Sequence, residues 1–273
     1  MTDFLCPLCR APLAIGPQAW TCPQRHSFDV AREGYVNLLP VQHKRSLEPG
    51  DSAEMVLARR NFLEAGHYQA LREAAVALLA PLRVHCLLDL GCGEGYYSSA
   101  FRTVVPEVIG LDIAKPAVRL AAKRIRNIAW LVASGALLPL ADGAVDMVTS
   151  LFSPLPLAEF SRVLKPGGHV LVITPAAEHL LSLRERLFDE VRAHEPDKFI
   201  AAFDAQFELQ QRQALTFPLR LTLPALKDLL MMTPYAWKAK PERRAALEAG
   251  EAGATLDTAA AFTLMLFRKR LDR

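Results

Sequence analysis

The sequence lacks long apolar runs and the pattern of a signal peptide at its start, and its net charge is small. No apolar run reaches the roughly 18 residues that a membrane-spanning helix needs, so no membrane span is expected. Residues 1–6 contain neither a basic stretch nor an apolar core, so no secretory signal is expected and we predict a cytoplasmic protein. The 32 basic and 29 acidic side chains give a charge of +3, which is too small to bind nucleic acid through overall charge.

A disordered chain is excluded as well. Hydrophobic residues make up 51% of the 273 residues, so the chain can bury enough core for one large domain and a small one. We expect a small N-terminal module at residues 1–35, a helical linker at 36–84, and a large α/β domain at 85–273 with an insertion at about 218–260.

Cysteine is scarce, with five residues in all, but three of them lie among the first 22 residues. Cys6, Cys9, Cys22 and His26 form the pattern C-x2-C-x12-C-x3-H, whose two close pairs can converge on one tetrahedral zinc ion. About thirty residues cannot bury a core of their own, so a metal would supply the missing stability. Because four protein ligands leave no open position, we predict a structural zinc site; the alternative is a set of free buried cysteines.

A glycine-rich loop follows a short apolar run in the large domain. Cys86–Leu90 is typical of a buried parallel strand, and a helical pattern begins at Tyr96. The loop between them has the form D-x-G-x-G-x-G, with Asp89, Gly91, Gly93 and Gly95. Strand, glycine loop and helix form the first turn of a doubly wound, mostly parallel sheet, where ligands bind at the carboxyl ends of strands.

Two acidic residues indicate which ligand this loop binds. Asp112 ends the next apolar run and lies 21 residues after Gly91, close to the spacing of a carboxylate that binds ribose hydroxyls. Glu94 lies inside the loop, where its charge would repel a phosphate. A nucleoside with a cationic end suits this loop better, and we predict S-adenosylmethionine.

Further elements alternate along the chain, as a doubly wound fold requires. Helices are predicted at residues 55–82 (interrupted at 66–68), 116–126, 157–163 and 179–192, with Asp51 as the N-cap of the first and Glu54 as its capping-box partner. Strands are predicted at residues 108–112, 128–133, 145–151, 169–174, 207–217 and 261–268.

Basic and aromatic residues are interleaved around the insertion. Residues 212–244 contain seven basic and two acidic side chains, a composition that suits phosphate contact and base stacking. The alternative is an amphipathic helix with solvated lysines. We predict RNA contacts for two groups: Arg25, Lys44 and Arg45 near the zinc module, and Tyr235, Trp237, Lys238, Lys240, Arg243 and Arg244 on the insertion. We expect the insertion lysines to lie outside the nucleoside pocket.

Seven stretches carry a resemblance over nearly the full length. They are residues 6–9 (CPLC), 22–26 (CPQRH), 32–42 (REGYVNLLPVQ), 50–55 (GDSAEM), 65–68 (AGHY), 89–97 (DLGCGEGYY) and 232–237 (MTPYAW). With them the chain resembles the bacterial 23S ribosomal RNA (guanine-N1)-methyltransferases of the RlmA type. The resemblance implies a class I, Rossmann-like methyltransferase fold with a zinc-ribbon-like N-terminal domain.

The resemblance also implies a function and further site residues. The family methylates a guanine in a hairpin loop of 23S rRNA, and its members are homodimers whose zinc modules help to shape an RNA cleft. The implied zinc ligands are Cys6, Cys9, Cys22 and His26, and the implied cofactor contacts are Tyr68, Gly93, Glu94 and His179.

The sequence does not identify a catalytic residue. N1 of guanine carries a proton that some group must accept, and residues 150–154, at the end of the fourth strand of the domain, contain no carboxylate. Phe152, Tyr235 and Trp237 are candidate stacking platforms for an unstacked base, with a core role as the alternative for Phe152. Two other functions stay open: methyl transfer to a small molecule with the zinc module as a lid, or RNA binding without catalysis.

Overall fold

Two β-sheets organise the chain in the computed structural model, which describes residues 2–40, 48–192, 194–195, 199–250 and 254–271. The strands are β1 (Ala14–Ile15), β2 (Ala19–Thr21), β3 (Ser27–Asp29), β4 (Tyr35–Asn37), β5 (Cys86–Leu90), β6 (Glu107–Asp112), β7 (Ala129–Val132), β8 (Val145–Leu151), β9 (Leu164–Pro175), β10 (Phe207–Thr222) and β11 (Thr255–Lys269). The helices are α1 (Ala53–Glu64), α2 (Gln69–Leu79), α3 (Tyr96–Phe101), α4 (Lys115–Arg124), α5 (Leu157–Val163), α6 (Leu181–Leu187), α7 (Ile200–Phe203), α8 (Leu223–Met232), α9 (Tyr235–Lys238) and α10 (Pro241–Glu248).

The large sheet has eight strands in the order β10-β11-β9-β8-β5-β6-β7-β4. All pairs from β9 to β4 are parallel, and β11 and β10 add two antiparallel pairs at one edge. The chain runs from β5 through β6 to β7 on one side, then returns to β8 and β9 on the other. The strand order therefore reverses between β5 and β8, which confirms the doubly wound, mostly parallel fold and locates its ligand crevice.

Each face of the large sheet is covered by a different set of elements. Leu87 of β5 belongs to a core that includes side chains of α2, α3, α4, α6 and α8. Leu88 points to the opposite core, which includes side chains of α5 and α7 together with Phe4 and Trp20 of the N-terminal module. Because successive side chains of a strand point to opposite faces, the continuous apolar run of β5 supplies both cores.

The small sheet, β1-β2-β3, belongs to the N-terminal module, and β1 and β2 pair as a hairpin. The module is hydrogen-bonded to the loop that follows β7: the Leu5 amide donates to the Pro139 carbonyl at 3.0 Å, and the Ala141 amide donates to the Asp3 carbonyl at 3.0 Å. The next strand, β4, joins the edge of the large sheet beside β7. The module is thus attached to the sheet at two places.

Some element boundaries differ from those expected. Ser52, not Asp51, is the N-cap of α1, and its hydroxyl accepts a hydrogen bond from the Met55 amide at 3.3 Å. Asp51 instead forms an ion pair with Arg59. The helix expected at 179–192 is the shorter α6. β10 and β11 pair along their whole length, from Phe207 opposite Lys269 to Thr222 opposite Thr255. The insertion expected at about 218–260 therefore begins in β10 and ends in β11. Among the described helices, none is long and apolar enough to cross a membrane.

Candidate active site and zinc site

A cavity of about 1340 Å³ opens at the carboxyl ends of β5, β6, β7, β8 and β9. Seven residues predicted to bind the cofactor line it: Tyr68, Asp89, Gly91, Gly93, Glu94, Asp112 and His179. The eighth, Gly95, lies outside this lining. A Cβ atom at this position would lie only 2.7 Å from the Trp130 ring. Gly95 therefore lets α3 pack closely on β7.

The Asp112 carboxylate links the glycine loop to the start of α4. One carboxylate oxygen of Asp112 accepts a hydrogen bond from the Gly93 amide at 2.9 Å, and the other accepts from the Ala114 amide at 2.8 Å. Burial raises the pKa of Asp112 above its usual value. Each oxygen keeps a second acceptor site, which is what two ribose hydroxyls require.

Asp89 lies at the bottom of the same crevice. Its carboxylate accepts hydrogen bonds from the Ser98 hydroxyl at 2.5 Å and the Thr149 hydroxyl at 2.8 Å. Burial raises the pKa of Asp89 to about 6, although both hydroxyls oppose that rise. Asp89 therefore connects β5, α3 and β8 beneath the loop.

Glu94 is a buried carboxylate with an unpaired oxygen. The residue is only 2% exposed, and within the described part of the chain its Oε2 accepts no hydrogen bond. The nearest cation is the Arg124 guanidinium, at 3.8 Å. Burial raises the pKa of Glu94 to about 7. Such a group favours a ligand that brings positive charge or a hydrogen-bond donor into the cavity.

Two other buried polar atoms on the cavity wall, the Tyr97 hydroxyl and the Thr174 hydroxyl, also have no partner among the described residues. Unpaired buried polar atoms are rare in folded proteins and call for an explanation. A polar ligand in the cavity would satisfy these atoms together with Glu94. The cationic, hydroxyl-bearing methyl donor predicted from the sequence therefore fits the residues present.

Four ring side chains form a polar wall at the far side of the cavity. The Tyr68 hydroxyl and His179 Nε2 are 3.5 Å apart, and the Ala261 amide donates to His179 Nδ1 at 3.2 Å. Burial lowers the pKa of His179 to about 3, so its ring is neutral, with the proton on Nε2. Beside it, His194 Nε2 and the Tyr235 hydroxyl are 3.1 Å apart. His194 was not anticipated because no motif surrounds it.

Phe152 stands at the end of β8 with an unusual backbone and an exposed ring. Its φ is +58°, its side chain is 47% exposed, and its ring centroid lies 5.5 Å from that of buried Phe262. Hydrogen bonds fix this turn: the Phe152 amide donates to the Ile173 carbonyl at 3.1 Å, and the Ser153 hydroxyl donates to the Leu90 carbonyl at 2.8 Å. The left-handed conformation is thus imposed by the surrounding structure.

The four predicted zinc ligands come together in the N-terminal module. One ligand atom each from Cys6, Cys9, Cys22 and His26 lies within 4.8 Å of all the others. His26 Nδ1 is 3.5 Å from the Cys6 sulfur and 3.4 Å from the Cys22 sulfur. Tetrahedral zinc with Zn–S bonds of about 2.3 Å needs ligand separations of roughly 3.5–4 Å. The donor set and its spacing therefore fit a four-coordinate structural zinc ion.

The described residues among those predicted to contact RNA have different surroundings. Arg25 is exposed on the zinc module. Tyr235 and Lys238 line the cavity, and the expectation that the insertion lysines lie outside its nucleoside pocket stays a prediction. Lys240 and Arg243 both pair with Asp189, and Arg244 pairs with Glu248. Lys44 and Arg45 lie outside the described residues, as does the side chain of Trp237.

Comparison with known proteins identifies the family. A family model described as the N-terminal zinc ribbon of RlmA matches residues 4–47, and one described as a methyltransferase domain matches residues 88–172. The 23S rRNA (guanine(748)-N(1))-methyltransferase of Streptomyces fradiae is 36% identical over 251 residues, which cover 88% of this chain and 88% of that protein. The chain belongs to the RlmA family of 23S rRNA (guanine-N1)-methyltransferases.

Two further similarities agree with this family. A Micromonospora griseorubida protein, named provisionally for the same class of activity, is 38% identical over 264 residues, covering 87% of this chain and 88% of that protein. Among solved structures, the YcgJ protein of Bacillus subtilis superposes with a TM-score of 0.51 at 21% identity, covering 73% of this chain and 100% of that chain. This second likeness concerns the fold alone.

Family membership confirms the two cofactors predicted from the sequence. The S-adenosylmethionine-dependent methyltransferase domain contains the glycine loop, Asp112 and the end of β8. The RlmA zinc ribbon contains the four converging ligands. The residues that sequence reasoning missed are Arg59, Thr174, His194, Glu195 and Phe262, all on the cavity wall. Of these, Arg59 lies four residues after the quoted stretch at residues 50–55.

Proposed function

We propose that the chain transfers a methyl group from S-adenosylmethionine to N1 of a guanine in a hairpin loop of 23S rRNA. Full-length similarity to the Streptomyces fradiae enzyme supports the RNA substrate. The observation that carries the proposal is the cavity itself, which joins the cofactor residues to an exposed aromatic ring and a polar wall.

The cofactor residues divide into two roles. Asp112 is oriented by two backbone amides to accept ribose hydroxyls, and Glu94 and Tyr97 offer unpaired polar atoms to the charged end of the cofactor. When bound, S-adenosylmethionine supplies an electrophilic methyl group on a sulfonium centre. The protein's task is then to align the guanine with that group and to exclude water.

The base is held at the opposite wall. Phe152 presents an exposed ring that is backed by Phe262, and the ring of Phe262 lies 4.7 Å from that of His179. Stacking on Phe152 would place the edge of an unstacked guanine beside this polar wall. His194 and Glu195 line the same part of the cavity. We propose them as acceptors of the N1 proton, because both ring nitrogens of His179 are engaged, Nδ1 by the Ala261 amide and Nε2 by the Tyr68 hydroxyl.

The substrate and the family support a proposal for where the enzyme acts and how it assembles. It acts in the cytoplasm, where ribosomes are assembled. It works as a homodimer, with both zinc ribbons contributing to an RNA cleft. Light scattering of the purified protein tests this assembly, since a monomer at working concentration would contradict it.

Mass mapping of the modified nucleotide tests the reaction. Purified protein, S-adenosylmethionine and total rRNA from a strain that lacks the gene should yield one new N1-methylguanine in 23S rRNA. Modification of small molecules alone would favour the lid function of the zinc ribbon, and cofactor binding without any transfer would favour RNA binding without catalysis.

A further inference from the structure

Helix α4 carries a row of exposed cations that the sequence motifs do not explain. Lys115, Arg119 and Lys123 are spaced four residues apart, so they lie on one side of the helix, and Arg126 follows just beyond its end. All four residues are exposed, and α4 contains no acidic residue. A surface helix usually mixes both signs of charge, because i,i+4 pairs of opposite sign stabilise it.

One buried carboxylate organises the middle and the end of this row. Glu33 Oε1 accepts from the Arg119 guanidinium at 2.9 Å, and the Glu33 carbonyl accepts from Arg126 at 3.3 Å. The hydrogen bond from Arg119 lowers the pKa of Glu33, which therefore stays charged. Within the described part of the chain, Lys115 and Lys123 have no ion-pair partner. The row keeps a net positive charge of about three.

The position of Lys115 is unfavourable for the helix itself. It stands in the first turn of α4, where the helix macrodipole is positive and a cation is repelled. No acidic residue in that turn compensates for it. The Asp112 carboxylate accepts from the Ala114 amide at this helix end, but Lys115 forms no ion pair within the described part of the chain, so its charge is available to an external anion.

The row connects the two functional parts of the molecule. Ile113, two residues before Lys115, lines the cavity. At the other end, Arg126 contacts Glu33 in the segment that joins the zinc ribbon to β4. At 1.5 Å per residue the row extends roughly 12 Å from Lys115 to Lys123. A strand of RNA whose loop enters the cavity could follow it toward the zinc ribbon.

Charge balance favours this face over the segment chosen from the sequence. Lys240, Arg243 and Arg244 are paired with Asp189 and Glu248, which leaves a net charge of about one, whereas the α4 row keeps about three. We propose that the exposed face of α4 binds the phosphate backbone of the RNA that leads into the target loop. This inference rests on the proposed function, because it takes the partner to be the rRNA hairpin.

The test replaces Lys115→Gln and Lys123→Gln together and measures affinity for a hairpin transcript against salt concentration. Each lost phosphate contact lowers the slope of log affinity against log salt by roughly 0.7–0.9, so the double variant should lose about 1.5 from the slope. Arg186→Gln is the matched control, since Arg186 is exposed on α6 and lies outside the row. The control should keep the wild-type slope.

Two further measurements make the outcome decisive. Calorimetry with S-adenosylmethionine should give unchanged affinity in the double variant, which shows that the cavity is intact. Lys123→Glu should lower RNA affinity more than Lys123→Gln. An unchanged slope in the double variant, or a change in self-association without a change in the slope, overturns the inference. If the wild-type protein methylates no RNA but the double variant still loses about 1.5 from the slope of hairpin binding, the proposed function fails while the α4 surface stands.

Discussion

Replacing Phe152 by asparagine tests whether the Phe152 ring serves methyl transfer or the stability of the fold. A φ of +58° costs a non-glycine residue roughly 1–2 kcal/mol, and asparagine tolerates this region better than phenylalanine. The substitution also removes a ring that is 47% exposed, so the apolar burial that is lost is about 1 kcal/mol rather than the ~1.5–3 kcal/mol of a fully buried side chain. The two effects oppose each other, and we expect unfolding free energy to change by no more than about 1 kcal/mol.

Methyl transfer should respond very differently. Stacking of a base on an aromatic ring contributes roughly 1–3 kcal/mol, so kcat/KM for a hairpin RNA should fall about 5- to 150-fold in Phe152→Asn. Phe152→Tyr should keep most of the activity, because the ring remains. S-adenosylmethionine affinity, measured by calorimetry, should stay at the wild-type value in both variants.

Two other residues with positive φ provide matched controls. Arg83 has a φ of +52° and lies far from the lining of the cavity, so Arg83→Asn should gain up to about 1 kcal/mol of stability without affecting methyl transfer. Leu180 has a φ of +53° but is 0% exposed, so Leu180→Asn should lose more than about 2 kcal/mol. The stacking role is refuted if Phe152→Asn behaves like Leu180→Asn, or if its methyl transfer matches that of wild type.

Three further predictions concern the cofactors. Asp112→Ala leaves the ribose hydroxyls unpaired, at a cost of about 1–3 kcal/mol, and should weaken S-adenosylmethionine binding tenfold or more by calorimetry; unchanged affinity would remove Asp112 from the site. Burial raises the pKa of Glu94 from 4.5 to about 7 on folding, so between these pH values the native state binds more protons than the unfolded state. The free energy of unfolding of the wild-type protein should therefore fall by up to ~3 kcal/mol as pH rises through this window. Denaturation curves of Glu94→Gln should not show this fall. Cys9→Ser should lower zinc content in metal analysis and loosen the ribbon, yet weaken cofactor binding less than Asp112→Ala, and a larger effect would contradict a structural zinc.

The cofactor end of the cavity could be predicted from the sequence because its parts are close together along the chain. Asp89, the glycine loop and Asp112 belong to two consecutive strands and the turn between them, and spacing alone brings them to one edge of the sheet. The zinc ligands were predictable for the same reason. The four ligands lie within 21 positions of the sequence, so a short segment can bring them together. Three cysteines and one histidine are a ligand set typical of structural zinc.

The charges on the insertion could not be predicted in the same way. Asp189 is about fifty residues from Lys240 and Arg243, and only the packing of α10 on α6 brings them together. A count of charges between residues 212 and 244 therefore overestimates the free positive charge of that segment. The one-residue error at the start of α1 has a local cause, since Asp51 and Ser52 are both good N-caps and Asp51 is engaged by Arg59.

The wall that would hold the base is a product of tertiary structure rather than of any motif. It combines Phe152 after β8, His194 after α6, residues 232–235 between the end of α8 and the start of α9, and Phe262 in β11. Helix α8 packs on α1 from the linker, and the Arg59 guanidinium donates to the Met232 carbonyl at 3.4 Å. The cofactor end and the base end thus use different segments of chain. Changes in the wall can alter which base is accepted while Asp112 and the glycine loop stay as they are, which is how one fold serves many substrates.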